Sequence, residues 1–523
     1  MASRYKVGGR EHSHLFKHDT LLAGIAAVVI LTLSFVDNVF VHAMHMDVSW
    51  LITVCEKVLD GQQLNVDIRE TNPPFSIYMY LPLVALARSL GSSPETWVIV
   101  GTYCWLALCI SCAIGIIRST HLFPARTIIW FVPTALALYL LALPATFAQR
   151  DLVAALSALP MVLVATARLR TEDEARLGST WLVVAGLLAA ITMAIKPHYA
   201  LAFAFPYIFV AWARRDWRVL FRPEILVAGG AVILSWSLMV ATDPLYFSEL
   251  APVLMDVYVA NRLSMYDQAL GFGALGIILI LLNARFSQNA RPENRQMPVL
   301  MADAGFLVSF FVMGKGWDYQ ALPFIVFGCL GLMLSVFATA GAHSGQRDRT
   351  GQIILSGFVM GMAWLSITNA ERGEPRREVV AALQSRSIKT VNVIGNLLGL
   401  GHPTSRMIGA DWTDRDGYDW QGAMALKRLA TGSLGADLRN RLTGYVDDAV
   451  KEKIDALTRR QPDLLIVDRD DVAWLGRLME VPEFARRFDQ YQVIAQAGSF
   501  DYMISPRIAA LSAQPKLTAA DAP

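Results

Sequence analysis

The stretch LLAGIAAVVILTLSFVDNVFV, residues 21–41, decides the fold class of this chain. It is apolar over about 20 residues, the length that an α-helix needs to cross the hydrocarbon core of a bilayer. Basic residues precede the stretch, so a signal peptide with the small residue Ala43 near its cleavage site is the alternative. Because the run is longer than a usual signal-peptide core, we predict an uncleaved first membrane span.

Apolar runs of similar length recur along the chain, of which 54% is hydrophobic, with a mean hydropathy of +0.41. So much apolar surface exceeds what one soluble core of ordinary size uses. We predict an all-α polytopic membrane bundle of about eleven transmembrane helices. The ten further predicted spans lie near residues 96–117, 127–145, 150–167, 178–196, 198–213, 225–242, 270–284, 298–314, 319–340 and 350–368.

Arginines indicate which loops face the cytoplasm. They concentrate in five loops, and basic loops remain on the cytoplasmic side of membrane proteins. The five basic loops and the loops between them fall on opposite sides of the membrane only if the short apolar stretch 75–90 lies along the outer surface without crossing. We therefore predict a multi-pass protein of the cytoplasmic membrane with its N-terminus in the cytoplasm and its C-terminus outside. The basic loops are residues 118–126, 168–177, 212–224, 285–297 and 341–349.

The chain changes character after about residue 370. Strand-like runs IKTVNVIG, DLLIVD and YQVIAQ alternate there with polar helical stretches. We predict a small extracytoplasmic α/β domain over residues 370–510, preceded by a transmembrane domain over residues 1–369 with surface helices in the outer loop 42–95. The tail, residues 511–523, is predicted to be disordered.

Charge and cysteine content exclude two classes of function. The 46 Lys and Arg residues nearly balance the 44 Asp and Glu residues, and they are spread between apolar blocks, so a nucleic-acid partner is not expected. The five cysteines form an odd set, most of which lies in or beside apolar runs. Neither a disulfide framework nor a zinc site is predicted.

Ionisable and aromatic residues gather in the loops predicted to lie outside. Charged groups at the ends of membrane spans are costly to keep there and are therefore the first candidates for function. The set combines acids that could deprotonate a hydroxyl group with cations that could hold a departing phosphate. The candidate residues are Asp47, Glu70, Arg150, Asp151, Lys196, His198, Lys315, Trp317 and Tyr319.

Asp47 is the best candidate for a general base. It follows the first span by a few residues, where partial desolvation is expected to raise its pKa and strengthen it as a base. The alternative is that Asp47 caps the helix that begins near Ser49.

The other candidates also have structural alternatives. Arg150 and Asp151 could form an ion pair that only neutralises both charges. Lys196, in the KPHY turn with His198, could extend its ammonium group to the outer water. Lys315 could hold a phosphate beside an aromatic sugar platform, or the stretch GKGWDYQ could be an aromatic belt with one lysine.

The first third of the chain resembles the GT-C glycosyltransferases, which include protein O-mannosyltransferases, oligosaccharyltransferase catalytic subunits and lipid A aminoarabinose transferases. In that family an acidic residue soon after the first span is followed by an amphipathic helix, a glycine and a proline-containing start to a surface helix. Asp151 matches a second acidic residue of the family, and GKGWDYQALP resembles a stretch of bacterial members. The residues that carry the first part of the resemblance are Asp47, Gly61, Asn72, Pro73, Pro74 and the helix 75–90.

The resemblance implies a glycosyltransferase with a polyprenyl-phosphate-linked sugar donor and an extracytoplasmic glycan, lipid or protein acceptor. Asp47 would act as base, Glu70 and Asp151 would orient donor or acceptor, and the C-terminal domain would help to hold the acceptor. The cations Arg150, Lys196 and Lys315 would bind the phosphate. The first loop has no DxD pair and the C-terminal domain no WWD-type motif, so protein N-glycosylation is not expected. No cofactor is assigned, and divalent metal use is left open because it varies across the family.

A membrane transporter or lipid-linked sugar flippase is the alternative function, because it also needs many spans and charges within the membrane. Transporters usually bind their substrate near the bilayer midplane, between repeated halves. Here the charges cluster at the outer ends of the spans, and no internal repeat is visible in the sequence. A scaffold subunit that has lost catalysis is a third reading.

Overall fold

The computed structural model describes residues 8–286, 295–339, 375–432 and 434–513. These residues form two compact units. The helical unit comprises the described residues within Met1–His42, Thr96–Leu238 and Arg262–Ala370. The sheet unit comprises the described residues within Ala43–Glu95, Met239–Asn261 and Glu371–Pro523. It therefore includes two segments that precede the C-terminal region in sequence.

Ten long helices account for most of the described part of the helical unit. Each corresponds to one of the first ten predicted spans, and the eleventh prediction, residues 350–368, lies outside the described residues. Six apolar stretches among the described residues are long and apolar enough to cross a membrane, which supports a multi-pass membrane protein. The helices are Gly8–Val36, Pro94–Thr120, Ala125–Leu141, Arg150–Arg168, Ser179–Ile195, Leu201–Arg214, Pro223–Thr242, Ala274–Phe286, Met297–Met313 and Asp318–Thr339.

Small residues allow these helices to pack closely. A Cβ atom on Gly305 would lie 2.4 Å from the carbonyl oxygen of Leu201, so the backbones of Met297–Met313 and Leu201–Arg214 approach each other at this point. Close backbone approach at small residues is typical of helix pairs in membranes, where packing replaces the hydrophobic effect as the driving force.

A five-stranded sheet organises the C-terminal region. The strands are β1 (Thr390–Ile394), β2 (Asp411–Trp412), β3 (Leu464–Asp468), β4 (Gln492–Ala497) and β5 (Phe500–Ile504), in the order β2-β1-β3-β5-β4. Strands β1, β2 and β3 are parallel, whereas β5 pairs antiparallel with β3 and β4. The predicted strands β1, β3 and β4 are confirmed, and β2 and β5 were not predicted.

Helices of the sheet unit come from all three of its segments. The stretch 75–90, predicted to be a surface helix, forms two short helices in this unit. Of the tail predicted to be disordered, residues 511–513 end a helix and the rest lies outside the described residues. The helices are Met46–Leu59, Phe75–Tyr78, Leu81–Ser89, Tyr246–Leu250, Ala251–Val253, Leu254–Val259, Arg377–Gln384, Leu398–Leu400, Thr404–Met407, Trp420–Ala430, Ala436–Asp455, Ala456–Arg460, Val472–Met479, Pro482–Phe488 and Pro506–Ala513.

An apolar stripe joins the segment Met239–Asn261 to the C-terminal region. Tyr246, Leu250, Leu254 and Val257 recur at helical spacing and are buried in one core with residues of the C-terminal helices, including Trp420. Burial of this stripe explains why the segment belongs to the sheet unit although it follows a membrane helix in sequence.

Candidate functional site

The candidate residues fall into two groups, one in each compact unit. Asp47 and Glu70 belong to the sheet unit. The helical unit holds Arg150, Asp151, Lys196, His198, Lys315, Trp317 and Tyr319.

Asp151 is the centre of the group in the helical unit. It lies in the first turn of the helix Arg150–Arg168, where a carboxylate interacts favourably with the helix dipole, and its side chain is fully buried. Its Oδ1 atom accepts a hydrogen bond from Lys196 Nζ at 2.6 Å and another from the Tyr199 hydroxyl group. The ion pair of Asp151 is therefore with Lys196, which follows the helix Ser179–Ile195.

Lys196 does not extend to water as a snorkelling lysine would. Only 6% of the residue is exposed, and its ammonium group lies 5.3 Å from the ring centroid of Tyr319. Lys315 Nζ lies 6.0 Å from the ring centroid of Trp317, and the two aromatic rings are 5.5 Å apart. Lys196 and Lys315, which come from separate loops, thus lie beside the aromatic pair formed by Trp317 and Tyr319. We call these four residues the cation–aromatic cluster.

A tight loop positions Lys315. The glycines on either side have positive φ angles, +74° at Gly314 and +71° at Gly316, a conformation that side-chain-bearing residues rarely adopt. The residue is 7% exposed. Burial, together with the positive charge of Arg262, lowers the pKa of Lys315 from 10.5 to about 8. An anion placed beside the ammonium group would relieve both effects.

Arg150 precedes Asp151 in sequence, and His198 follows Lys196 by two positions. Arg150 is 4% exposed and opens the helix that carries Asp151. The His198 ring is half-buried, with its centroid 5.0 Å from that of Tyr199, and its carbonyl oxygen accepts a hydrogen bond from Ser309. The structure therefore gathers all seven predicted residues of the helical unit from three stretches of sequence that meet around Asp151 and Tyr319.

Asp47 lies in the first turn of the helix Met46–Leu59 and its side chain is 18% exposed. The helix cap is His45, whose Nδ1 atom accepts a hydrogen bond from the Asp47 backbone N–H at 3.2 Å. The alternative in which Asp47 itself caps the helix is therefore wrong. His45 performs that task, and its Nδ1 atom also lies 3.8 Å from Asp47 Oδ2, so capping does not account for Asp47.

Glu70 is buried, and its carboxylate accepts hydrogen bonds from two neighbouring segments. Its Oε2 atom accepts a hydrogen bond from Trp50 Nε1 at 2.5 Å, and its Oε1 atom accepts one from the Asn72 backbone N–H at 2.9 Å. Both carboxylate oxygens are thus used to shape the turn before Pro73 and to hold the helix that carries Asp47. This geometry favours a supporting role for Glu70.

Several polar residues of the two units were not singled out from the sequence. Tyr199 shares the Asp151 carboxylate with Lys196. Tyr418 belongs to the same unit as Asp47 and Glu70, and burial, with the negative charges of these two residues among the smaller causes, holds the pKa of its hydroxyl group well above its ordinary value. Asp303 is fully buried in the helix Met297–Met313, and neither of its carboxylate oxygens has a hydrogen-bond partner among the described residues. An intramembrane acid of this kind is detectable in sequence as a charge within an apolar run.

Metal binding was left open by the sequence. Within the described ranges, which omit residues 287–294 and 340–374, no three His, Cys, Asp or Glu side chains converge closely enough to hold a metal ion.

Comparisons with known proteins address the fold. No protein-family model matches the sequence, and no curated protein matches it at a significant level. ArnT from Cupriavidus metallidurans, solved bound to undecaprenyl phosphate, is similar with a TM-score of 0.53 and 13% identity over 92% of this chain and 97% of that one. Its apo structure gives a TM-score of 0.50 at 13% identity over the same shares of the two chains.

An oligosaccharyltransferase from Archaeoglobus fulgidus, solved with zinc and sulfate, is more distant, with a TM-score of 0.47 and 12% identity over 93% of this chain and 73% of that one. The likeness to the two ArnT structures, at 13% identity, establishes the fold alone. The chain therefore has the GT-C type of fold that its first third resembles.

Proposed function

We propose that this chain transfers a sugar from a polyprenyl-phosphate carrier to a glycan, lipid or protein acceptor outside the cytoplasmic membrane of a bacterium. The observation that carries the proposal is the cation–aromatic cluster, in which Lys196 and Lys315 lie beside Trp317 and Tyr319. Ammonium groups suit a phosphate and aromatic faces suit a sugar ring. The fold shared with ArnT, which has been solved with undecaprenyl phosphate, supports the choice of carrier.

The proposed step needs a base for the acceptor and cations for the departing phosphate. Asp47 accepts the proton of the acceptor hydroxyl group while the oxygen of that hydroxyl group attacks the anomeric carbon of the sugar. The bond from that carbon to the phosphate oxygen breaks, and the bonding pair leaves with the carrier phosphate. Lys315, Lys196 and Arg150 stabilise the negative charge that grows on this phosphate. Asp151 keeps Lys196 in place, and Glu70 shapes the loop beside Asp47.

The topology that this reaction requires is part of the proposal. Eleven spans put the N-terminus in the cytoplasm and the sheet unit on the outer side, where lipid-linked sugars are presented. The arginine-rich loops support this orientation, since basic loops remain on the cytoplasmic side of membrane proteins.

Binding of undecaprenyl phosphate to the purified protein tests the carrier. We expect native mass spectrometry to show a complex with this lipid, while undecaprenol, which lacks the phosphate, binds at least about ten times more weakly because charged hydrogen bonds are worth about 1.5–3 kcal/mol. Lys315→Met should abolish most of this difference, whereas Lys427→Met, at an exposed position of the sheet unit, should preserve it. Equal binding of both lipids to the unaltered protein would argue against a phosphate site.

The protonation of Lys315 predicts a pH dependence. Because its pKa is lowered to about 8, the ammonium group is charged below that pH and neutral above it. The affinity for undecaprenyl phosphate should therefore fall as the pH rises through about 8, with the lipid phosphate fully ionised. In Lys315→Arg the side chain stays charged, so the affinity should be flat between pH 7 and pH 9.5. A titration of lipid binding across this range checks the expectation, and the same decline in both proteins would refute it.

A further inference from the structure

The helix that carries Asp47 is held by side chains from the C-terminal part of the chain. The Trp50 ring centroid lies 5.1 Å from that of His402 and 6.1 Å from that of Trp412. A Cβ atom on Gly417 would lie 3.0 Å from the Trp50 ring. The first half of Met46–Leu59 is therefore in close packing contact with residues that follow it by more than 350 positions.

Ion pairs hold the second half of the same helix. Lys57 Nζ lies 2.6 Å from Asp411 Oδ1. The guanidinium group of Arg406 lies 2.5 Å from a carboxylate oxygen of Glu56 and 2.5 Å from one of Glu95. The side chains of Lys57 and Arg406 are only 11% and 13% exposed, whereas those of Asp411, Glu56 and Glu95 are 64%, 36% and 30% exposed, so water screens these pairs in part.

Helical spacing relates these contacts to Asp47. Residues three or four apart in a helix are neighbours on one face, and Asp47, Trp50, Thr53 and Lys57 follow one another at such steps. Arg406 also reaches Thr53, with an Nη1–Oγ1 distance of 3.4 Å. Asp47 thus lies one step of three residues before Trp50, a residue of this helix that the C-terminal residues contact.

We propose that Lys57, Asp411 and Arg406 are positioning residues for Asp47. By fixing the helix Met46–Leu59 in the sheet unit, they keep the Asp47 carboxylate where it can receive the proton of the acceptor. A general base must lie within hydrogen-bond reach of that proton, and a displacement of about 1 Å can cost about a hundredfold in rate. The inference rests on the proposed function, and it gives the C-terminal region a role in placing the base in addition to any contact with the acceptor.

Charge reversal across the Lys57–Asp411 pair tests this role in the full-length protein. Lys57→Glu and Asp411→Lys, made singly, each put two like charges together and should lower kcat for sugar transfer by about tenfold while the KM for the donor changes less than about twofold. The double variant restores an opposite-charge pair and should recover kcat to within about threefold of the unaltered protein. Arg477→Glu is the matched control, because its partners Asp447 and Glu480 lie outside the helix, and its kcat should not change.

Hydrogen exchange of the amides in Met46–Leu59 gives a second readout that does not depend on activity. Protection of this helix should fall in each single variant and return in the double variant. If Lys57→Glu does not accumulate, Lys57→Gln removes the charge without reversing it and should show the same loss in smaller degree.

The results of these experiments distinguish a failure of the positioning role from a failure of the proposed function. Unchanged kcat and unchanged protection in the single variants, or no recovery in the double variant, would overturn the positioning role. If the unaltered protein transfers no sugar at all, the proposed function fails, and the exchange pattern still decides whether the C-terminal residues hold this helix.

Discussion

The Asp47→Asn variant is expected to lose sugar transfer, with kcat falling by about 10²–10⁴-fold, the range that a positioned general base contributes. The amide has almost the shape of the carboxylate but cannot take a proton. Because Asp47 does not cap its helix, the variant should fold and accumulate in the membrane as the unaltered protein does. Single-turnover transfer in proteoliposomes, with the amount of protein matched, measures the loss.

Asp60→Asn is the matched control for this prediction. Asp60 ends the same helix, its side chain is 54% exposed, and its ion-pair partner is Arg88 at a half-exposed site. Exposed pairs of this kind contribute about 0–1 kcal/mol, so transfer should remain within about twofold of the unaltered rate. An Asp47→Asn variant that transfers as fast as this control would remove Asp47 from the mechanism.

Lys196→Met is expected to destabilise the helical unit by about 3–5 kcal/mol, because it leaves the buried Asp151 carboxylate without its counter-ion. Thermal unfolding in detergent should show a clear fall in the unfolding temperature. Transfer should also be lost, since Lys196 is one of the two lysines of the cation–aromatic cluster.

The double variant Asp151→Asn with Lys196→Met separates the two effects. It removes both charges and retains an amide that can still accept a hydrogen bond from Tyr199, so most of the stability should return. Transfer should not return, because the phosphate-binding cation is still missing. Recovery of both stability and transfer would mean that the pair has only a structural role.

The sequence predicted the parts of the fold that depend on local pattern. Span length identified helices such as Arg150–Arg168, and apolar runs identified β1, β3 and β4. Strand β5 was missed although Gly498 and Ser499 form the two-residue loop that typically joins hairpin strands. Its polar Asp501 interrupts the apolar run and hides the strand.

Contacts between segments that are far apart in sequence could not be predicted. The stripe formed by Tyr246, Leu250, Leu254 and Val257 is visible as a helical pattern, but its partners, including Trp420, lie far away in sequence. No local rule connects them.

The same limit applies to the candidate site. Seven of the nine candidate residues could be chosen because they are ionisable and lie at span ends, and the other two because they are aromatic. The sequence offered Arg150 as the ion-pair partner of Asp151, whereas the structure supplies Lys196 from another loop. The alternative that Asp47 caps its own helix was wrong, because the cap is His45, a less common capping residue than aspartate. Side-chain partners depend on how helices pack, which one sequence does not reveal.

Mass spectrometry of envelope glycolipids and surface polysaccharides tests the central claim most directly, in a strain that lacks this chain and in one that carries only Asp47→Asn. We predict that both strains lose the same single sugar while the variant protein still accumulates in the membrane. A point variant that behaves like the unaltered strain would contradict the role of Asp47. A deletion strain that accumulates an unaltered lipid-linked precursor on the inner face would instead identify a transporter.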